Sequence, residues 1–532
     1  MSRAILATLA AASAVLTTLA LPSFNLGVLA WFSLVPLLYA LRRVGAYGAA
    51  ILGLLFGCCL AGGIFYWLGL LAEMTVATTA VMYLGFGFFY ALFGVLYNRV
   101  RHLPPAWLLV AAPALWVAVE YARSNLFFLA LPWNLLAHSQ HRHLAVIQIS
   151  DVTGVYGLSF VLVMVNQFVS ELLPHVAEHR TPSPRSARAN RVTQAVLVGV
   201  MLTVVFAYGF FKLGEVEGSR RLRVAVVQAN LLTHNRMSAE QQIDHLRAYD
   251  RLTREAAQAR PELIIWPSSS LPGPLNSRIS SILVRRLARD TGTYVLVGGA
   301  GGDKFTPARD GQLPYSNSEF LIAPSGQTEG QYNKIRLTPF SEFVPLRGKV
   351  HWPGWLTTLK DSFVAGTEYT LFQIGEARFG TPICWENTFA DVFRRFIRDG
   401  AHFMVSVTNE AFLGDTSGPY QTLAMNVFRA VENRVTIARA ATTGVSGFIS
   451  SKGEVQERVT DGRGRDLFVS GVVVRDVPLA TTKTFYTLHG DVFAQSMIAV
   501  AAASLLAALV IRKRPITATV TSVPRVPAAP VT

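Results

Sequence analysis

Three residue types that can do acyl chemistry together fall within about sixty positions of one another. Cys384 sits in Thr381-Pro-Ile-Cys-Trp-Glu386, just after a strand-like run, and Lys334 lies upstream in Tyr332-Asn-Lys334. Between them, Pro339-Phe-Ser-Glu342-Phe-Val-Pro345 supplies a carboxylate. A free cysteine is first of all a small buried hydrophobe. Beside a cation and a carboxylate it can instead become a thiolate that attacks an acyl carbon. Cys58 and Cys59 lie inside an apolar run and read as packing residues, and no spacing suggests a metal site or a disulfide framework. Gly298-Gly-Ala-Gly-Gly302 lacks the spacing of a dinucleotide or phosphate-loop fingerprint and reads as a strand-to-loop turn. No cofactor is expected.

The segments that must position these residues are of two kinds. From Arg221 to Pro478 the texture is that of an α/β domain. Leu222–Gln228, Leu263–Trp266, Tyr294–Val297, Phe320–Ala323, Phe379–Ile383 and Phe403–Val407 read as strands, and Ala239–Ala259 has helical spacing. Repeated strand and helix order predicts stacked sheets with helices outside.

The rest is apolar. The chain of 532 residues is 51% hydrophobic, and its mean hydropathy of +0.36 is too high for a wholly soluble protein of this length. Bilayer-wide runs of roughly 17 to 25 residues are expected near Ala4–Leu21, Leu26–Leu41, Ala46–Leu71, Val76–Tyr97, Ala106–Val119, Gly154–Leu172 and Val192–Phe211, with one more at Val492–Ile511. The formal charge of +15 could suggest nucleic acid as a partner. Its arginines instead occupy every second gap: Arg3, Arg42 with Arg43, Arg99 with Arg101, the Arg180–Arg191 segment, and Arg512-Lys-Arg514. That is the positive-inside pattern, and it places the N-terminus inside and everything after Phe211 on the opposite face. The first run also admits reading as a signal peptide, which leaves that sidedness unchanged. The expected division is seven transmembrane helices in 1–215, an α/β domain in 221–480, a last transmembrane helix in 490–512 and a disordered tail in 516–532. At the edge of the fifth run, Glu120 and Arg123 are spaced to pair on one helix face. His138, His141 and His143 lack a carboxylate or cysteine to complete a metal set, and that segment reads as an external membrane-surface loop.

The order Trp266-Pro267, Tyr332-x-Lys334, Pro-Phe-x-Glu342-x-Val-Pro and Ile-Cys384-x-Glu386 resembles the nitrilase superfamily. Asn409-Glu-Ala-Phe412-Leu-Gly-Asp, Gly418-Pro-x-Gln421, Phe428-Arg-Ala-x-Glu432 and Ala441-Thr-Thr-Gly444 extend the likeness. With the membrane runs, and with Pro132-Trp133-Asn134, Gln140 and Gly157-Leu-Ser159-Phe160, nearly the whole chain is similar to the apolipoprotein N-acyltransferase family. The resemblance implies an αββα nitrilase-like domain on a membrane bundle of about eight helices, in the bacterial inner membrane with the domain on the periplasmic side. It also implies transfer of an acyl chain from a phospholipid, through a cysteine thioester, to the N-terminal amine of a diacylglyceryl lipoprotein. The family's triad is Glu, Lys and Cys, and Lys334 and Cys384 match it. Its Trp-Pro-Glu is Trp-Pro-Ser268 here, so Glu342 is the carboxylate expected to stand in as base. Trp385, Glu386, Asn409 and Phe412 are the expected supporting residues; Trp385 and Phe412 replace the family's usual Tyr and Trp. An alternative is a binding paralogue without catalysis. A membrane-tethered amide hydrolase would leave the bundle without a role.

Overall fold

The computed structural model describes residues 1–71, 74–173, 184–231, 237–275, 277–302, 315–356, 359 and 362–513. The expected tail, Arg180 and Arg514 lie outside them.

Strand β1 (Arg221–Gln228) is followed by β2 (Leu263–Ile265), β3 (Tyr294–Gly302), β4 (Tyr315–Ile322) and β5 (Thr328–Asn333). Then come β6 (Phe372–Ile374), β7 (Ala377–Gly380), β8 (Phe403–Thr408), β9 (Ile437–Ala441), β10 (Gly447–Ile449), β11 (Val455–Gln456) and β12 (Gly471–Pro478). They form two six-stranded sheets, ordered β12-β1-β2-β3-β4-β5 and β11-β10-β9-β8-β7-β6. Neighbours β1, β2 and β3 run parallel, as do β7, β8 and β9.

Side-chain alternation along a strand decides what each sheet face covers. In the first sheet Val224, Val226, Ile265, Leu296 and Leu321 join one core with Phe379, Ile383, Val405 and Val407 of the second. The intervening residues Ala225, Val227, Ile264, Val295, Val297, Phe320 and Ile322 pack instead on Leu246, Tyr249 and Leu252 of the helix Ala239–Ala257 and on Val284 and Leu287 of Arg278–Thr291. The result is a sandwich with helices on its outer faces. Helix Ala239–Ala257 starts where Ser238 and Gln241 form a reciprocal capping box, and Arg278–Thr291 stops at Gly292, whose φ of +61° suits a residue without a Cβ.

Among the described residues, seven helices are long and apolar enough to cross a membrane, six before β1 and one after β12. The expected second run is broken: a 3₁₀ turn at Gly27–Trp31 and a short helix at Val35–Leu41 replace one long helix. At one end Gln140 Nε2 donates to the Gly27 carbonyl (2.7 Å), near where Ile64 accepts from Gln421 of the α/β domain (2.8 Å). At the other end Arg42 pairs with Glu171 and donates to Tyr97 Oη (2.9 Å), while Arg101 caps the Arg42 carbonyl (2.9 Å). Helices Ala46–Ile64 and Val76–Val100 approach through glycines. A Cβ at Gly53 would lie 2.1 Å from the Tyr90 carbonyl oxygen, a closeness of backbones typical of packing in lipid.

Two local expectations differ from what forms. Gly298–Gly302 is the end of β3, in register with Tyr315–Glu319 of β4, and not a turn. Glu120 and Arg123 do not pair with each other. Glu120 Oε1 accepts from Leu136 N (2.8 Å), and Arg123 donates to the carbonyls of Leu131 (3.1 Å) and Trp133 (2.8 Å), so both hold the loop leading to the domain.

Candidate active site

Strand β7 runs out through buried Thr381 and Ile383, and Cys384 then turns the chain into a 3₁₀ segment, Cys384–Thr388. Cys384 has φ +52°, a left-handed conformation costly for a residue with a Cβ and often found where a side chain must be aimed. Glu386 holds that bend. Its Oε2 accepts from Ile383 N (2.8 Å), and its Oε1 accepts from Ile335 N (2.8 Å) and Arg336 N (2.9 Å). Tyr332 Oη donates to the same carboxylate at 2.9 and 3.0 Å. One buried side chain thus ties the turn bearing Cys384 to the strand end bearing Lys334. Burial pushes the Glu386 pKa upward, against these donors and the Lys334 charge, which pull it down.

Lys334 is 1% exposed, and its Nζ lies 2.6 Å from Glu342 Oε2. Thr338 N donates to the same oxygen (2.7 Å) and Asn317 Nδ2 to Oε1 (3.1 Å), so both Glu342 oxygens are engaged. Burial works against the ammonium, but Glu342 foremost, and then Cys384, raise the Lys334 pKa overall. Burial likewise works against the Glu342 carboxylate, yet Lys334 and the two hydrogen-bond donors bring its pKa below the ordinary value. A charge-assisted pair of this kind keeps a cation fixed beside the cysteine.

Ser268 lies on the loop after β2, which Trp266 anchors by stacking on Tyr249 (4.4 Å) and donating to Thr253 (3.0 Å). The serine is buried, its hydroxyl without a hydrogen-bond partner among the described residues. Next to it, Ser269 has φ +57°, and the Ser270 hydroxyl accepts from Gly298 N (3.2 Å).

On the membrane side Trp385 stacks on Trp133, with centroids 5.9 Å apart and an interplanar angle of 26°. Trp133 Nε1 and Trp67 Nε1 both donate to Gln421 Oε1, at 2.8 and 3.3 Å. An aromatic column therefore runs from the bundle to the residue after the cysteine. Asn409 is placed to shape its loop, accepting from Ala411 N (3.2 Å) and Thr442 Oγ1 (3.0 Å), whereas Phe412 is 56% exposed.

The structure thus brings Cys384, Lys334, Glu342, Glu386 and Trp385 together. Sequence reasoning missed Glu319 on β4, a fully buried carboxylate with no hydrogen-bond partner on either oxygen among the described residues. A signal for it existed. In Tyr315–Ile322 the alternation that turns Leu321 toward the sandwich interior turns Glu319 there too.

Both halves match known families. Residues 13–168 match the apolipoprotein N-acyltransferase N-terminal domain and residues 223–487 the carbon-nitrogen hydrolase domain. Among curated relatives, apolipoprotein N-acyltransferase of Geobacter metallireducens is 34% identical, over 96% of this chain and 96% of that protein. The enzyme so named from Chlorobaculum tepidum is 28% identical over 93% and 94%. Among solved structures, an amidase of the nitrilase superfamily from Nesterenkonia sp. AN1 is similar at 19% identity and a TM-score of 0.37, covering 53% of this chain and 96% of that one. Since the Geobacter likeness spans bundle and sandwich alike, the chain belongs to the apolipoprotein N-acyltransferase family.

Proposed function

We propose that this chain moves a fatty acyl group from a phospholipid to the N-terminal amine of a diacylglyceryl lipoprotein, with Cys384 carrying it as a thioester. The observation that supports this most is the joining of Cys384, through Trp385 and Trp133, to the membrane bundle. A cysteine on a plain surface would meet only soluble acyl groups. One stacked onto the bundle meets lipid. Lys334, held by Glu342, and the Trp385 backbone N–H stabilise the oxyanion as the ester carbon becomes tetrahedral. Seclusion beside the membrane protects the thioester from water until the amine arrives. No cofactor enters this scheme, and the partners are lipid, lipoprotein and membrane.

We assign the domain to the periplasmic side of the bacterial inner membrane, because Arg42, Arg43, Arg99 and Arg101 collect at the end of the bundle away from it. Cysteines introduced at Gln327 and Gly45 should then react with an impermeant reagent from opposite sides; labelling from one side refutes the assignment. The chemistry is tested by single-turnover reaction with phospholipid and mass measurement of the Cys384 peptide. Wild type should gain one acyl mass at Cys384 and Cys384→Ser none. An adduct on another residue, or none in the folded wild-type protein, would refute the reading.

A further inference from the structure

A thiol that attacks an ester needs somewhere to put its proton. Of the three buried carboxylates on the elements that carry Lys334, Cys384 and their neighbouring strand, two are fully occupied. Glu342 accepts from Lys334, Thr338 and Asn317, and Glu386 from three backbone amides and Tyr332. Glu319 accepts from nothing among the described residues.

Its placement follows from strand register. Glu319 is paired across β4 and β5 with Tyr332, and across β3 and β4 with Gly298, so these residues share one sheet face. Asn317, two residues away on the same strand face, donates to Glu342, and Tyr332 donates to Glu386. Glu319 therefore stands on the face that builds the Lys334 and Cys384 cluster. On its other side, Gly298 offers no side chain. A Cβ there would lie 2.5 Å from Glu319 Oε1, 2.7 Å from Ser269 N and 2.8 Å from Ser268 Cα. Glu319 Oε1 and the backbone of Ser268 thus border the same space above Gly298, and the Ser268 hydroxyl, like the carboxylate, is buried without a partner among the described residues. Buried polar atoms are rarely left unpaired without a task.

We propose that Glu319 is the proton acceptor of this site, reaching across Gly298 to the place vacated by a short side chain at Ser268. This rests on Cys384 being the nucleophile. In the first half-reaction the Cys384 S–H bond breaks and its proton passes, through the Ser268 hydroxyl, to a Glu319 oxygen, while sulfur bonds to the ester carbon. Collapse breaks the ester C–O bond, and the proton returns to the departing alkoxide. In the second half the amine nitrogen bonds to the thioester carbon, its proton goes to Glu319, the C–S bond breaks and sulfur is reprotonated.

Burial holds the Glu319 carboxyl well above the carboxylate range, so only its ionised fraction serves and the rate rises with pH. The groups around it are Tyr332 across the strand, the Ser268 backbone beyond Gly298 and Glu342 behind Asn317; Tyr249, of the helix Ala239–Ala257 on the opposite face of the sheet, feels the Glu319 charge in turn.

The test uses the full-length protein in detergent and two readouts at the Cys384 peptide: acylation by phospholipid and alkylation by iodoacetamide, each from pH 6 to 10. Glu319→Gln, nearly isosteric, should slow acylation by about 10²-fold or more, remove the rising limb of the acylation profile, and shift the alkylation profile, whose rise the thiol's own ionisation preserves. Ser268→Glu combined with Glu319→Gln should recover at least about tenfold of that loss, because it moves the carboxylate across the gap. A folded Glu319→Gln protein with wild-type rates and an unshifted alkylation profile overturns the proposal, as does a double variant no faster than the single one. If phospholipid leaves no adduct even on wild type, the acyl-transfer reading fails, while the alkylation profile still decides where the thiol proton goes.

Discussion

Two corners of the same sheet face hold buried acids in opposite conditions. Around Glu342 and Glu386 every carboxylate oxygen meets a donor, and around Glu319 and Ser268 none does among the described residues. The first corner is built for position: an ion pair and a knot of backbone hydrogen bonds hold a lysine and a strained cysteine in place. The second carries uncompensated burial, tolerated because a group that must exchange protons cannot be saturated with donors.

That contrast can be broken or sharpened by substitution. The largest effect should come from Lys334→Met, which leaves the Glu342 charge buried and unpaired. A loss of about 3–5 kcal/mol is expected for removing one partner of a buried pair, read as a lowered unfolding midpoint in detergent. Glu386→Gln should follow. Its amide nitrogen would face backbone N–H groups, and each stranded buried donor costs about 1–3 kcal/mol; a melting temperature within error of wild type would refute the clamp.

Glu319→Gln should do the reverse. Because folding raises the Glu319 pKa, its neutral form favours the folded state below its unfolded value, and that stability is lost as pH rises toward the folded one. Removing the acid should therefore stabilise the alkaline protein relative to wild type, by up to about 1.4 kcal/mol per pH unit in that window. Equal stability of the two proteins from pH 6 to 10 would show that Glu319 is solvated after all. For Glu342 the sign is opposite: folding lowers its pKa, so its contribution is complete above the ordinary carboxylate value and disappears as pH falls through the folded one. The smallest change is Trp385→Leu, which forfeits a stack worth about 0.5–1.5 kcal/mol and should slow acylation more than it lowers the melting point.

Much of this was readable in one dimension. Cys384, Lys334, Glu342 and Ser268 stand in short motifs whose order is visible without a fold, and β1, β2 and β8 announce themselves as apolar runs. Glu319 did not, because its meaning depends on register: only the pairing with Gly298 carries it to Ser268. The glycine run was read as a turn for the same reason. Glycines there serve the side chains and backbone crossing over them, Leu271, Ser268 and Glu319, and the strand continues beneath. The break in the second apolar run is equally nonlocal, since Gly27 is pressed against the Ser139 carbonyl and Trp31 donates to Gln140 (3.2 Å), both more than a hundred residues on.

Gln421 has a mechanical consequence. Its amide oxygen takes two indole N–H groups and its nitrogen grips the Ile64 carbonyl; elsewhere Arg434 is bound to Asp151 (2.9 Å), and Val155 N donates to Glu432 (3.0 Å). The sandwich is thus fastened to the bundle at both ends of the helix Gly418–Asn433. In the proposed reaction, any motion that swaps the lipid left one acyl chain short for an incoming peptide terminus must then be sought first in the segments between those fastenings.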